Sequence, residues 1–355
     1  MNPVALKKLH RVPASTLRYT SLQVLRGLAA TMVVVFHLPT ALGIPEVNIP
    51  ILSSGVDIFF VISGFVMVVS TANAPLDLRA FTMQRFTRIV PLYWIMTFVM
   101  IAALWMFRDR TIPLDEIGKS LLFIPYLDTA TGLVQPILGV GWTLNLEILF
   151  YLLFAVTLPL GAFRQIVVIG AVFTLAVAAR VVFKPTDDTV LFFYTTPVLF
   201  EFFAGMVLGH LADRIRRLPV AFGVSASVFA IALIFVLRFN FVLPRTLDQG
   251  VPALIFVAGC INLENHFRSM APRWSIRLGD ASYSLYLTHL VVLLAAAPLV
   301  AAADISPWIA GALIVGASIL VSLASYALME KPLLTLFRTH RSGDKTVVKR
   351  AQEAR

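Results

Sequence analysis

The chain has a single cysteine, Cys260, in 355 residues. A lone thiol excludes an internal disulfide and any cluster of thiolate ligands. Charge is scarce as well: Asp, Glu, Lys and Arg make up 14% of the residues, where a soluble domain carries about 25%. The six histidines, at 10, 37, 210, 266, 289 and 340, show no ligand spacing, so no metal site is expected. A GxxxxGK phosphate loop and a Gly-x-Ser-x-Gly elbow are both missing from the sequence. Their absence removes support for ATP-driven transport and for serine nucleophile chemistry. No internal repeat of 20–50 residues is evident.

What remains is apolar. Hydrophobic residues form 59% of the chain, and mean hydropathy is +0.86. Runs near the ~20 residues that span a bilayer fall at 22–40, 51–72, 89–107, 142–160, 165–183, 190–211, 218–237, 247–263, 278–300 and 307–328. The expected fold class is therefore all-α, a polytopic membrane protein of about ten transmembrane helices. The run at 247–263 is the weakest, and 112–127, with the short apolar stretch SLLFIPYL, reads as interfacial or re-entrant.

Ten spans place both termini on one side, and the basic residues say which. With the N-terminus cytoplasmic, 21 Lys and Arg lie inside and six outside (Arg108, Arg110, Lys119, Lys184, Arg238 and Arg245). That is a strong positive-inside bias. The net charge of +10 is then explained by topology and anionic membrane lipid, with no need for nucleic acid. Residues 1–20 are basic without an apolar core, and are expected to be a retained cytoplasmic segment rather than a cleaved signal. Residues 21–337 form the membrane domain, and 338–355 a solvated, disordered cytoplasmic tail.

Ionisable residues inside such spans are costly and mark functional sites by default. Arg26 and His37 share the first span, LQVLRGLAATMVVVFHLP. Eleven residues are three helical turns plus about 20°, so both face one way about 17 Å apart. An imidazole titrates near working pH and can take a proton from a hydroxyl; alternatively a neighbouring helix merely satisfies it. Asp57, in GVDIFFVISGF, either orients an imidazole on the adjacent helix or sits favourably at a helix N-terminus. In that segment Ser63 and Gly64 read as packing residues rather than ligands. Arg85 and Arg88, one turn apart in RFTRIVPLYW, either fork onto phosphates or anchor the span at the cytoplasmic face. In GWTLNLEILFYLLF, Trp142 fits the interfacial belt. Glu147 falls at hydrocarbon depth, where it either shares a proton with substrate or neutralises a buried arginine such as Arg26.

Glu201 is a similar carboxylate, beside a Gly205/Gly209 stripe that reads as helix packing. Ser282, Tyr286 and His289 form one polar stripe that either lines a cavity or bonds between helices. Glu330 reads as an ordinary helix terminus.

Six segments in order, LRGLAATMVVVFH, GVDIFFVISGF, RFTRIVPLYW, WTLNLEILFY, GDASYSLYLTH and MEKP, resemble bacterial membrane acyltransferase family 3. That family includes O-acetyltransferases of exopolysaccharide and lipopolysaccharide, and the wording here is most similar to the exopolysaccharide type. The resemblance covers about residues 20–337. It implies transfer of an acyl group, usually acetyl from cytosolic acetyl-CoA, to a sugar hydroxyl of a polysaccharide or lipid-linked oligosaccharide. No permanently bound cofactor is implied. The setting would be the bacterial inner membrane, alongside polysaccharide-assembly proteins.

Residue by residue, the family's Arg-x10-His pattern is matched by Arg26 and His37, and its Arg-x-x-Arg pattern by Arg85 and Arg88. Glu147 matches in the Trp-x-Leu-x-x-Glu segment. The implied catalytic set is His37, Arg26, Glu147 and Asp57, with Arg85 and Arg88 on the CoA phosphates, and Trp142, Tyr286 and His289 toward substrate. His37 acts as general base, oriented by Asp57 or Glu147, or through an acyl-histidine relay. The competing class is a transporter or flippase of a glycan or lipid-linked intermediate, because buried Asp, Glu and His also suit proton relays.

Overall fold

The computed structural model describes residues 19–44, 49–72, 78–186, 190–303 and 305–336. Among them the chain is almost wholly helical, and nine helices are long and apolar enough to cross a membrane. We label the spans α1 (Thr20–Leu42), α2 (Ile51–Thr71), α3 (Leu78–Arg108), α4 (Gly139–Leu160), α5 (Ala162–Phe183), α6 (Val190–Arg216), α7 (Val220–Phe239), α9 (Ser282–Ala302) and α10 (Pro307–Leu336). Between α7 and α9 lies α8, a broken span of Thr246–Asn262 and Glu264–Met270 bent by 66°. The weakest expected span is thus the one that breaks. This is a multi-pass membrane protein of the all-α class. The segment expected over 1–20, apart from Tyr19 and Thr20, and the tail expected over 338–355 lie outside the described residues.

Proline and glycine set the local irregularities. Regular α-helix in α1 stops at Phe36 and resumes at Leu38. Pro39 has no N–H to bond the Val35 carbonyl, and the His37 amide is shared between the Val33 and Val34 carbonyls. The interruption makes His37 the C-terminal cap of one helical segment and the N-terminal cap of the next. The 112–127 segment does not cross; it folds into a short helix, Leu114–Leu121, and a two-residue antiparallel ladder, β1 (Leu127–Asp128) with β2 (Leu133–Val134). Tyr93 OH donates to the Ser120 carbonyl (3.1 Å) and Trp94 Nε1 to Leu121 O (2.9 Å), pinning this cap to α3.

At the centre stands α2, the most buried span. It runs parallel to α6 at backbone contact: a methyl at Gly205 would collide with the Val61 carbonyl, and one at Gly64 with Phe202 O. The Gly205 stripe is therefore a packing device, as its small-residue spacing indicated. Peripheral α5 and α7 leave large apolar side chains such as Phe163, Leu175, Val228 and Phe239 outward. Such a surface suits lipid, which competes for apolar groups as well as another helix does. Where α1 begins, Glu264 caps it, accepting from Thr20 N (2.8 Å), Ser21 N (3.0 Å) and Ser21 Oγ (2.5 Å). This satisfies orphan amides that a helix N-terminus leaves open and fixes α1 against α8. We call this end of the bundle proximal and the other distal.

Candidate active site

Five spans, α1 to α4 and α9, enclose a cavity of about 390 Å³. Its wall includes residues from Tyr19 and Gln23 at the start of α1, Ser70 at the end of α2, and Arg85 and Arg88 in the first turns of α3. It reaches inward past Ser63 and Glu147 to Val56, Phe59, Thr143 and Tyr286. Ser70 to Val56 is about 21 Å along α2 at 1.5 Å per residue, so the cavity is a deep slot from the proximal end.

Three guanidinium groups, those of Arg26, Arg85 and Arg88, converge on that slot. Among the described residues no carboxylate lies within ion-pair distance of any of them. Arg85 Nη2 donates to Ser70 Oγ (3.1 Å), and its guanidinium lies over the Phe81 and Tyr151 rings at 5.4 and 5.8 Å. Its Nε is buried with no partner. Among the described residues the one carboxylate on the wall, Glu147, accepts from Ser63 Oγ (2.8 Å) and from Tyr151 OH. Glu147, Glu330 and Arg88 lie near enough to Arg26 to act on its charge. Gln23 Oε1 and Ser282 Oγ on the same wall are buried without partners. Cations gathered in a low-dielectric slot are suited chemically to an anion.

At the distal side stands a pair of imidazoles. His37 Nδ1 is 2.8 Å from Val33 O, and His289 Nδ1 is 3.1 Å from Leu285 O. A carbonyl only accepts, so each Nδ1 carries the proton and each Nε2 holds the basic lone pair. The two rings lie 5.2 Å apart, centroid to centroid. Tyr286 joins the two regions: its ring is on the cavity wall and 6.1 Å from His289. Its hydroxyl donates to Val140 O (3.1 Å) and lies 2.9 Å from Thr143 Oγ1.

The chain matches the Acyltransferase domain family (Acyl_transf_3) over residues 19–327. It belongs to that family. It is 37% identical over 297 residues to the exopolysaccharide production protein ExoZ of Rhizobium meliloti (strain 1021), covering 81% of this chain and 92% of ExoZ. It is 26% identical over 322 residues to the peptidoglycan O-acetyltransferase OatA of Listeria monocytogenes, covering 79% of this chain and 51% of OatA. The chain thus spans about half the length of OatA. No solved structure matches. The protein is an acyltransferase, and the family match decides between the enzyme and the transporter that the sequence also allowed.

Within this acyltransferase the sequence-derived residues fall into three places. Arg26, Arg85, Arg88, Glu147 and Tyr286 meet on the cavity wall, while His37 and His289 meet beyond it. Trp142 lies outside the lining, edge-on to Phe60 at 6.0 Å. Two expectations need correction. Asp57 does not orient an imidazole: Arg245 Nε and Nη2 donate to its two oxygens at 3.1 and 2.8 Å, and Nη2 also reaches Ser53 O. Glu147 makes no direct ion pair with Arg26; its hydrogen bonds come from Ser63 and Tyr151, and it acts on the charges of Arg26 and Arg85 from a distance. Ser63, read as a packing residue, is thus a ligand of that carboxylate.

Sequence reasoning also passed over Glu330. It is not a solvated terminus: it lies 3% exposed at the end of a π-helical turn, Tyr326–Glu330, and accepts from Ser284 Oγ at 2.6 Å. The signal was a carboxylate one residue before Lys331 in the apolar run of α10.

Proposed function

We propose that this acyltransferase moves an acetyl or similar acyl group from cytosolic acyl-CoA to a hydroxyl of an extracytoplasmic or lipid-linked polysaccharide sugar, in the bacterial inner membrane. The observation that carries the reading is the trio of arginines around a slot that reaches the proximal end, none of them ion-paired to a carboxylate among the described residues. A CoA thioester is long, narrow and anionic at one end, and guanidinium forks match phosphate geometry. The proximal end is taken as cytoplasmic from the positive-inside bias. Polysaccharide as acceptor is supported by the names of ExoZ and, for O-acetylation, of OatA.

In this reading Arg85 and Arg88 hold phosphate at the mouth, and Arg26 lies deeper beside the arm. The cavity residues position the thioester toward Tyr286. His37 Nε2 takes the proton of the acceptor hydroxyl as its oxygen attacks the thioester carbonyl. General-base help is worth about 10²–10⁴-fold, and positioning supplies much of the remainder. The hydroxyl's O–H bond and the C–S bond break, the ester C–O bond forms, and the proton leaves with the CoA thiol.

Titration calorimetry of the purified chain with acetyl-CoA tests the donor assignment. Arg85→Ala and Arg88→Ala should each weaken binding about 10-fold or more, the size of one charge-assisted hydrogen bond. Wild-type affinity in the double variant would exclude the slot as the CoA site.

A further inference from the structure

Acyl transfer makes no use of the gap between α6 and α7. Gly64 and Gly205 seat α6 on α2 at backbone contact. The same device seats α7 on α8: a methyl at Gly223 would meet the Gly259 carbonyl at 3.0 Å, and one at Gly259 the Gly223 carbonyl at 2.8 Å. Drawn to different neighbours, α6 and α7 part and leave a wedge of about 870 Å³ with α8 beneath. Ligand pockets run to about 300–1,000 Å³. Phe203, Val207 and Leu211 line the wedge from α6, Phe222 and Phe229 from α7, and Ala258 from α8. Among the described residues on its wall, only Ser225 is polar.

The proximal end of the wedge has a different character. There the α6–α7 turn is held against α8 by Asn262 Nδ2, which donates to Ile215 O (2.8 Å) and Leu218 O (2.9 Å). Exposed Arg214 follows Leu211 at a spacing of three, so it continues the face that lines the wedge, and exposed Arg217 lies in the turn. Phe203 to Arg214 is about 17 Å of helix. One leaflet of the hydrocarbon core is about 15 Å, half of ~30 Å.

We propose that this wedge binds an anionic phospholipid of the proximal leaflet, with an acyl chain between α6 and α7 and the phosphate on Arg214 and Arg217. The wall offers an apolar chain contact along its length, and the guanidinium groups at its mouth match phosphate geometry. A zwitterionic headgroup brings a cation of its own to two arginines, so charge selects an anionic one. The chain supplies the van der Waals contacts that the gap denies α6 and α7, and so stabilises the bundle.

The test uses the full chain, delipidated in detergent and titrated with phosphatidylglycerol or phosphatidylcholine carrying the same acyl chains. Native mass spectrometry counts bound lipid while melting is followed in parallel. Phosphatidylglycerol should bind at least about 5-fold more tightly, the weight of one arginine near an anionic headgroup, and should raise Tm further. Arg214→Gln combined with Arg217→Gln should remove that preference. Ala226→Phe and Ala258→Phe, which each place a ring in the wedge, should weaken both lipids about 10-fold or more. Monodisperse elution and a cooperative melt report folding; if neither wedge variant folds, the arginine variant carries the test. Equal affinity for the two lipids, an unchanged preference without the arginines, or unchanged lipid binding by a folded wedge variant would overturn the proposal. A wild-type dimer that Ala226→Phe dissociates would overturn it too, by giving the wedge to a second copy of the chain.

Discussion

A carboxylate buried in a membrane either holds structure or takes part in chemistry, and Asp57 shows how the two are told apart. Its side chain is fully buried while that of Arg245 keeps 35% exposure, and the pair joins α2 to the segment before α8. Removing one partner leaves the other charge uncompensated. Asp57→Ala should therefore lower stability by about 2–4 kcal/mol, discounted from a wholly buried pair for the exposure of Arg245, as read by thermal unfolding in detergent. Unchanged melting with lost turnover would instead restore Asp57 to the reaction. Arg26 was legible from sequence because a charge in an apolar run stands out. The Asp57 partner was not, since Arg245 lies 188 residues away and reads in one dimension as an ordinary loop cation.

Packing of whole helices sets the width of the slot. Parallel α2 and α6 touch through Gly205 against the Val61 carbonyl and Gly64 against Phe202, and α2 carries Ser63 and Ser70 on the cavity wall. Gly205→Val should force the two helices apart, at a cost of about 1–3 kcal/mol for overpacking. Melting temperature and acetyl-CoA affinity should fall together, because the same helix lines the slot. A variant that melts and binds as wild type would show that the contact yields without moving α2. Hydropathy located the spans, since ~20 apolar residues in a row have few other uses, but α3 begins at Leu78 and α10 ends at Leu336, well outside their apolar runs of 89–107 and 307–328. It did not show the break of α1 at His37, the bend in α8 or the π-helical turn that buries Glu330, all of which depend on hydrogen-bond bookkeeping between neighbours.

The molecule as a whole sets a slot walled by three arginines on one side of a pair of imidazoles that lie beyond it, and its orientation in the membrane is what would make that arrangement vectorial. The native thiol, Cys260, is buried, so the chain should be silent to a membrane-impermeant maleimide. Thr131→Cys in the exposed β1–β2 turn should label from outside intact cells, and Ser269→Cys only after permeabilisation; the reverse pattern would invert the topology. The two-point logic of Arg26 and His37 was visible in one helix. Convergence of Arg26 with Arg85 and Arg88, and of His37 with His289, belongs to the packing of α1, α3 and α9, which no single segment encodes. The most direct test of the acyl-transfer account is the fate of label from acetyl-CoA in membranes carrying wild type or His37→Ala, read on extracellular glycan by mass spectrometry. The account predicts acetylated sugar with wild type and a loss of at least about 100-fold with His37→Ala, while acetyl-CoA binding persists. Wild-type acetylation by His37→Ala would contradict it.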